Sequence, residues 1–315
     1  MENLLEQDDC LSAFLNIYWL RPENAIFSAV IAKALNHKFV ISKSIDLGCG
    51  DGLFAFISLG GRLDCNFDVY SGTSNLEKVY THDSDIYDHF SDNYTPNITV
   101  YPNQKIDYGL DIKETMLNKA KKINIYKKLN KHDNCNFLPF EDNSFETACL
   151  FSSIYHYNTE QQMFIFKEVK RILKPGGKFW INVKGYEFIN IYKTLQAEYP
   201  VNISHFLERN MRNLFIGLHK NRDWEKLFKD SGFKIQKIMP LLPKKFGPLW
   251  CIGLRPISPL LIKMSRTLKK LSSGDYIQLK NEWIKLFYSL LLPFYNGNPS
   301  YKDSCMSLFL LEKGL

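Results

Sequence analysis

The chain has 315 residues, 45% of them hydrophobic, which excludes a disordered protein and is enough for one elaborated domain or two small ones. A net charge of +7 is compatible with an anionic partner, but the abundance of Lys, Asn, Ile and Tyr reads as compositional bias rather than a dedicated basic surface. Seven cysteines without a CxxC pair read as reduced thiols, the N-terminus MENLLEQDDC is acidic where a secretory signal is basic, and no apolar run reaches bilayer-spanning length, so a cytoplasmic setting is expected.

Residues 1–40 read as an N-terminal helical segment. Pro22 to Leu35 places Phe27, Val30, Ile31, Ala34 and Leu35 on one helical face, with Pro22 suited to the first turn. Ile41 to Leu47 is a short apolar run ending in glycines, as a buried parallel strand feeding a tight turn should be. Residues 60–105 are rich in Asp, Asn, Ser, Tyr and Gly with weak periodicity and read as a long insertion. Ile106 to Leu110 resumes as a strand, and Glu114 to Ile123 follows as a helix.

Lys127 to Lys131 reads as a third strand and Phe145 to Phe151 as a fourth. Thr159 with Gln162 forms a capping box for the next helix, which Lys174-Pro175-Gly176-Gly177 stops; Lys178 to Val183 is a fifth strand. Asp223 to Lys229 is helical, Ser231-Gly232 ends it, and Phe233 to Ile238 and Met306 to Leu311 read as further strands. Alternating strands and helices imply an α/β fold with a mostly parallel sheet covered by helices on both faces. The expected organisation is a core over 41–240 carrying the insertion at 60–105, a helical lid over 241–303 inserted between the last two strands, and a final core strand within 304–315.

The sharpest chemical signal is Asp46-Leu47-Gly48-Cys49-Gly50-Asp51-Gly52 at the end of the first strand. Glycines there let the backbone turn tightly and approach a ligand closely, with amides and a helix N-terminus facing it. A dinucleotide fingerprint wants glycine at the sixth position of GxGxxG, where this chain has Leu53. Three further motifs follow in order: Gly109-Leu110-Asp111-Ile112, then Asp133 through Leu138-Pro139-Phe140-Glu141-Asp142-Asn143-Ser144-Phe145, then Arg171-Ile172-Leu173-Lys174-Pro175-Gly176-Gly177.

From about Ser44 to Val183 this ordered set resembles the class I S-adenosylmethionine-dependent methyltransferases, specifically the group with the type-11 methyltransferase domain. The resemblance implies a Rossmann-like fold with a mostly parallel seven-stranded sheet and S-adenosyl-L-methionine (SAM) as methyl donor. A strand-end carboxylate such as Asp111 can accept two hydrogen bonds from a ribose diol, the role the family also implies. By the same resemblance Ile112 would pack on the adenine face and Asp133 with Asn134 would read its polar edge. Gly48 and Gly50 would approach the methionyl portion, and Asp46 would help hold its ammonium. The long gap between Gly52 and Asp111, and Glu146 where the group usually has Asp, depart from the pattern.

Residues after the fourth strand, Ser152-Ser153-Ile154-Tyr155-His156-Tyr157, would face the transferring methyl. Ser152 is expected at the cofactor, Tyr155 to orient an acceptor and His156 to take a proton, alongside the plain reading that His156 only packs or caps. His82, Asp83, Asp85, Asp88, His89 and Asp92 read as a solvated loop, and no metal is expected. The apolar stripes of residues 258–291 read as core, with a pocket for a hydrophobic acceptor or peripheral contact with a membrane surface as alternatives. The leading expectation is transfer of methyl to a small-molecule acceptor; an RNA methyltransferase and a non-catalytic SAM-binding protein are the alternatives.

Overall fold

The computed structural model describes residues 9–40, 42–70, 90, 94–208, 216–247 and 256–314. Two helices lead: α1 (Cys10–Ile17), capped by the Asp9 carboxylate, and α2 (Pro22–Leu35), started by Pro22 and ended by Asn36 in the left-handed conformation. Strand β1 (Ser44–Leu47) is buried throughout and turns through the glycines into α3 (Leu53–Ser58).

The 60–105 region contributes a small antiparallel pair, β2 (Arg62–Leu63) with β3 (Ile98–Val100). Then come β4 (Ile106–Asp111), α4 (Glu114–Ile123), β5 (Tyr126–Lys131), β6 (Phe145–Leu150), α5 (Thr159–Ile172) and β7 (Leu173–Lys184). The remainder is α6 (Glu187–Glu198), α7 (Val201–Glu208), α8 (Asn221–Asp230), β8 (Phe233–Pro243), α9 (Ser258–Leu271), α10 (Ser273–Tyr295) and β9 (Ser304–Lys313).

Seven of these strands form one sheet in the order β5-β4-β1-β6-β7-β9-β8, parallel except for β9, which runs antiparallel to both β7 and β8. From central β1 the chain steps outward through β4 to β5, returns to the other flank at β6, and steps outward again to β7. Right-handed crossovers therefore put the connecting helices on opposite faces, and the carboxyl ends of β1, β4 and β6 meet at the reversal point, where open α/β sheets bind ligands.

Two local expectations shift. The α5 capping box is formed by Asn158 with Gln161, one residue earlier than Thr159 with Gln162, because Asn158 takes the extended backbone that an N-cap needs. That leaves Gln162 buried for another task. Strand β7 begins at Leu173, which pairs with Phe145, so Lys174–Gly177 lies within an irregular strand rather than ahead of it.

Helices α9 and α10 enter between β8 and β9, and α10 packs along α1 and α2. Buried Lys280 donates to the carbonyls of Cys65 and Phe67, each at 2.7 Å, and the Tyr276 hydroxyl donates to Asp68 at 2.8 Å. Trp19 is buried with its ring edge-on to Tyr276 and Trp283. Neighbouring Arg21 pairs with Glu23.

Candidate functional site

Backbone geometry sets the glycine turn. Gly48, Gly50 and Gly52 have φ of 74°, 56° and 78°, a region where L side chains are strained. The Gly48 and Cys49 amides both donate to Leu110 O at 2.8 Å, which ties the turn to the end of β4. A Cβ on Gly48 would lie 3.0 Å from Ser153 Oγ and 4.0 Å from Asn134 Nδ2, whereas one on Gly50 would meet nothing within 4 Å. The turn thus opens a cradle bordered by Asn134 and Ser153.

Asp111 closes one side. Its Oδ2 accepts the Gly50 amide at 2.9 Å and its Oδ1 the Lys113 amide at 2.8 Å. Two backbone donors fix the carboxylate's orientation, while each oxygen keeps a further lone pair for a ligand hydroxyl. Ile112 beside it is exposed.

Asp46 is buried, and Tyr126 donates its hydroxyl to Asp46 Oδ2 at 2.7 Å. Burial pushes this carboxyl from 3.8 up to about 7; the Tyr126 hydrogen bond lowers it and the Asp111 charge raises it. Because this folded value lies above the unfolded one, the folded state keeps a proton that the unfolded state has released. The contribution of Asp46 to stability therefore falls as pH rises from 3.8 through about 7.

Opposite the glycines, Asp133 Oδ1 accepts the Cys135 amide at 2.9 Å, which shapes the loop that buries Asn134. The side-chain oxygens Asn134 Oδ1 and Ser153 Oγ are buried without a partner among the described residues. Buried polar atoms are nearly always satisfied, so these two, facing the cradle, are fit to take up a polar ligand. Tyr157 hydrogen-bonds the Asn134 side chain, and burial, aided by the charges of Cys135, Asp133 and Asp111, pushes its hydroxyl up to about 12.

After β6, Ser152 adopts φ 58°, a strained conformation for serine, held by its amide donating to Asn182 Oδ1 at 2.7 Å. Tyr155 is buried, hydrogen-bonds the Ser152 side chain, and is raised by burial. The Lys184 ammonium lies over the Tyr155 ring at 4.1 Å and near those of Phe27 and Phe188 at 5.3 and 5.6 Å. His156 is exposed, its ring 4.7 Å from that of Tyr155.

The structure therefore brings Asp46, Gly48, Gly50, Asp111, Asp133 and Asn134 around one turn, with Ser152, Tyr155 and His156 on the neighbouring segment. A family model for a methyltransferase domain matches residues 99–181, which hold Asp111, Asp133 and Asn134 and end within β7. Residues 99–181 are thus similar to a methyltransferase domain.

The chain is similar to the demethylmenaquinone methyltransferase of Lactococcus lactis, 30% identical over 153 residues, covering 43% of this chain and 58% of the relative. Among solved structures, a magnesium protoporphyrin IX methyltransferase from Synechocystis with bound SAH is similar at TM-score 0.45 and 11% identity, covering 100% of this chain and 89% of that one. A possible histamine N-methyltransferase from Thermotoga maritima is similar at TM-score 0.44 and 14% identity, covering 96% and 99%.

Some residues around the glycine turn were not singled out in the sequence. Tyr126 carried no signal, being an ordinary residue at the start of a strand, while Ser153 and Tyr157 were named only within the segment facing the methyl, with no role of their own. Asn182 carried a signal: an amide inside the apolar run Phe179–Val183 is a buried polar group that needs a reason. The cluster from His82 to Asp92 lies outside the described residues. Among the described residues no group of His, Cys, Asp or Glu could hold a metal ion, no disulfide joins the cysteines, and no helix is long and apolar enough to cross a membrane.

Proposed function

We propose that the protein is a SAM-dependent methyltransferase that passes a methyl group to a small-molecule acceptor by in-line displacement. The observation that carries this reading is the Asp111 carboxylate, oriented by two backbone amides beside the glycine turn and facing Asn134 across it. In the reading, Asp111 binds the ribose diol, Ile112 covers the adenine face, Asp133 and Asn134 read its polar edge, and the Gly48–Gly50 backbone with Ser152 lines the methionyl part. Bound SAM would supply a methyl group on a sulfonium, already a good leaving group. The protein's share is then alignment and exclusion of water, which supply most of the acceleration in such a displacement.

Tyr155 and His156 stand on the acceptor side. Tyr155 orients the acceptor, and His156 takes its proton where one must leave. His156→Ala is expected to leave SAM affinity within about twofold, because the ring is exposed and packs on Tyr155, on the acceptor side. Titration calorimetry checks this, and a large loss would move His156 into the cofactor site. The Lactococcus relative, whose name designates demethylmenaquinone, supports a small molecule. A cytoplasmic location fits the cysteines, which form no disulfide among the described residues.

The test is calorimetry with SAM and its demethylated product, followed by transfer of labelled methyl into a cell extract. Label in the small-molecule fraction supports the reading. Label confined to RNA transfers it to RNA modification, and tight binding without transfer leaves a binding protein.

Asp46 adds a pH signature. A cationic ligand beside its carboxylate favours the ionised form, so SAM affinity is expected to rise about tenfold from about pH 6 to about pH 8. Tyr126→Phe, which removes a hydrogen bond that lowers the Asp46 value, moves the rise to higher pH. Calorimetry across that range checks both; a flat profile excludes Asp46 from the ammonium site.

A further inference from the structure

We infer that α9, together with a leucine stripe on α10, docks the protein on the surface of an anionic lipid bilayer. Seven of the fifteen large hydrophobic residues exposed in the described structure fall between 257 and 290. On α9 the buried side holds Ser258 and Ser265 beside Pro259 and Ile262, while Leu260, Met264 and Leu271 are 50%, 60% and 80% exposed. Steps of four and seven residues place these three on one line along the helix, and Lys263 and Lys270 flank it, also exposed.

The second helix repeats the pattern. Leu279, Leu286 and Leu290 form an exposed line on α10, whose other side is fixed by buried Tyr276, Lys280, Ile284 and Tyr288. Lines of exposed apolar residues on two helices in contact mark an interaction site rather than chance.

Charge selects the occupant. The fourteen residues of α9 carry Lys263, Arg266, Lys269 and Lys270 and no carboxylate. An apolar line edged by lysines matches a helix lying in the plane of an anionic leaflet, leucines among the acyl chains and ammonium groups at the phosphates. A second copy of this face would set lysines against lysines, and a nucleic acid would leave the leucines in water. Neither the acceptor nor methyl transfer enters this inference, so it stands or falls separately from the proposed function.

Flotation of the full chain with vesicles of phosphatidylcholine, with and without phosphatidylglycerol, tests it. Binding is expected with the anionic vesicles, weakened by salt. Leu260→Ser/Met264→Ser/Leu271→Ser should abolish it, and each of Lys263→Gln and Lys270→Gln should weaken it by about fivefold. The lysine variants keep the test decisive where the triple variant fails to fold. Wild-type protein that does not float with anionic vesicles, or lysine variants that float as well as wild type, would overturn the proposal. So would sedimentation showing a dimer that the lysine variants break, or RNA displacing the chain from vesicles by binding this same face.

Discussion

Asp111→Ala is expected to weaken SAM binding roughly tenfold to a hundredfold, about 1.5 to 3 kcal/mol, the usual worth of hydrogen bonds to a charged group. The carboxylate is useful because it is held before any ligand arrives: the Gly50 and Lys113 amides fix both oxygens. Little ordering then remains to be done on binding. Removing it leaves two amides without their acceptor, but Asp111 is only half-buried and water can replace it, so the melting temperature should move little. Asp111→Asn is the sharper probe. It keeps the shape but turns one oxygen into a donor facing a backbone N–H, so the orienting clamp breaks as well. Calorimetry alongside thermal melting separates the two effects. An Ala variant that binds SAM unchanged places the ribose elsewhere and removes the main support for the enzyme reading.

Much of this site was legible because its parts are dictated by local backbone chemistry. Positive φ at positions 48, 50 and 52 calls for glycine, and a carboxylate at a parallel strand's carboxyl end shows in the sequence as Asp following an apolar run. The partners that tune those residues were not legible, since they arrive from far along the chain. Tyr126 lies 80 positions from Asp46, and Asn182 lies 30 from Ser152. The α9 stripe shows a different limit. Its periodicity announces an amphipathic helix, but periodicity does not say which apolar residues face the core: Ile262 is buried and Leu261 and Leu268 pack on the core, whereas Leu260, Met264 and Leu271 are exposed. The α5 cap slipped by one because Asn158 and Thr159 both satisfy the rule, and only backbone conformation chooses between them.

That one-residue shift matters, because it makes Gln162 available to hold the acceptor segment. Fully buried, its Nε2 lies within hydrogen-bond distance of three carbonyls, Ile154 O and Tyr157 O at 3.0 Å and Gly217 O at 2.8 Å. Two N–H bonds serve three acceptors, so one is shared, and the amide's orientation is fixed. Its Oε1 must then accept from His219 Nε2 at 2.8 Å, which puts the His219 proton on that nitrogen. Gly217 completes the knot: its amide donates to Tyr155 O, and a Cβ there would lie 1.9 Å from Tyr157 O. Gln162→Leu is therefore expected to cost about 3 kcal/mol of stability, since buried carbonyls lose their donor and water has little access. Methyl transfer should fall further than SAM affinity, because the loosened segment carries Tyr155 and His156 while Asp111 and Asn134 sit on other elements. Gln162→Glu separates hydrogen bonding from shape. At neutral pH it sets a carboxylate against three carbonyls and is worse than Leu, but on acidification the neutral acid regains one donor. Melting curves should show the Glu variant gaining stability relative to the Leu variant as pH falls; parallel curves would mean that Gln162 only fills space.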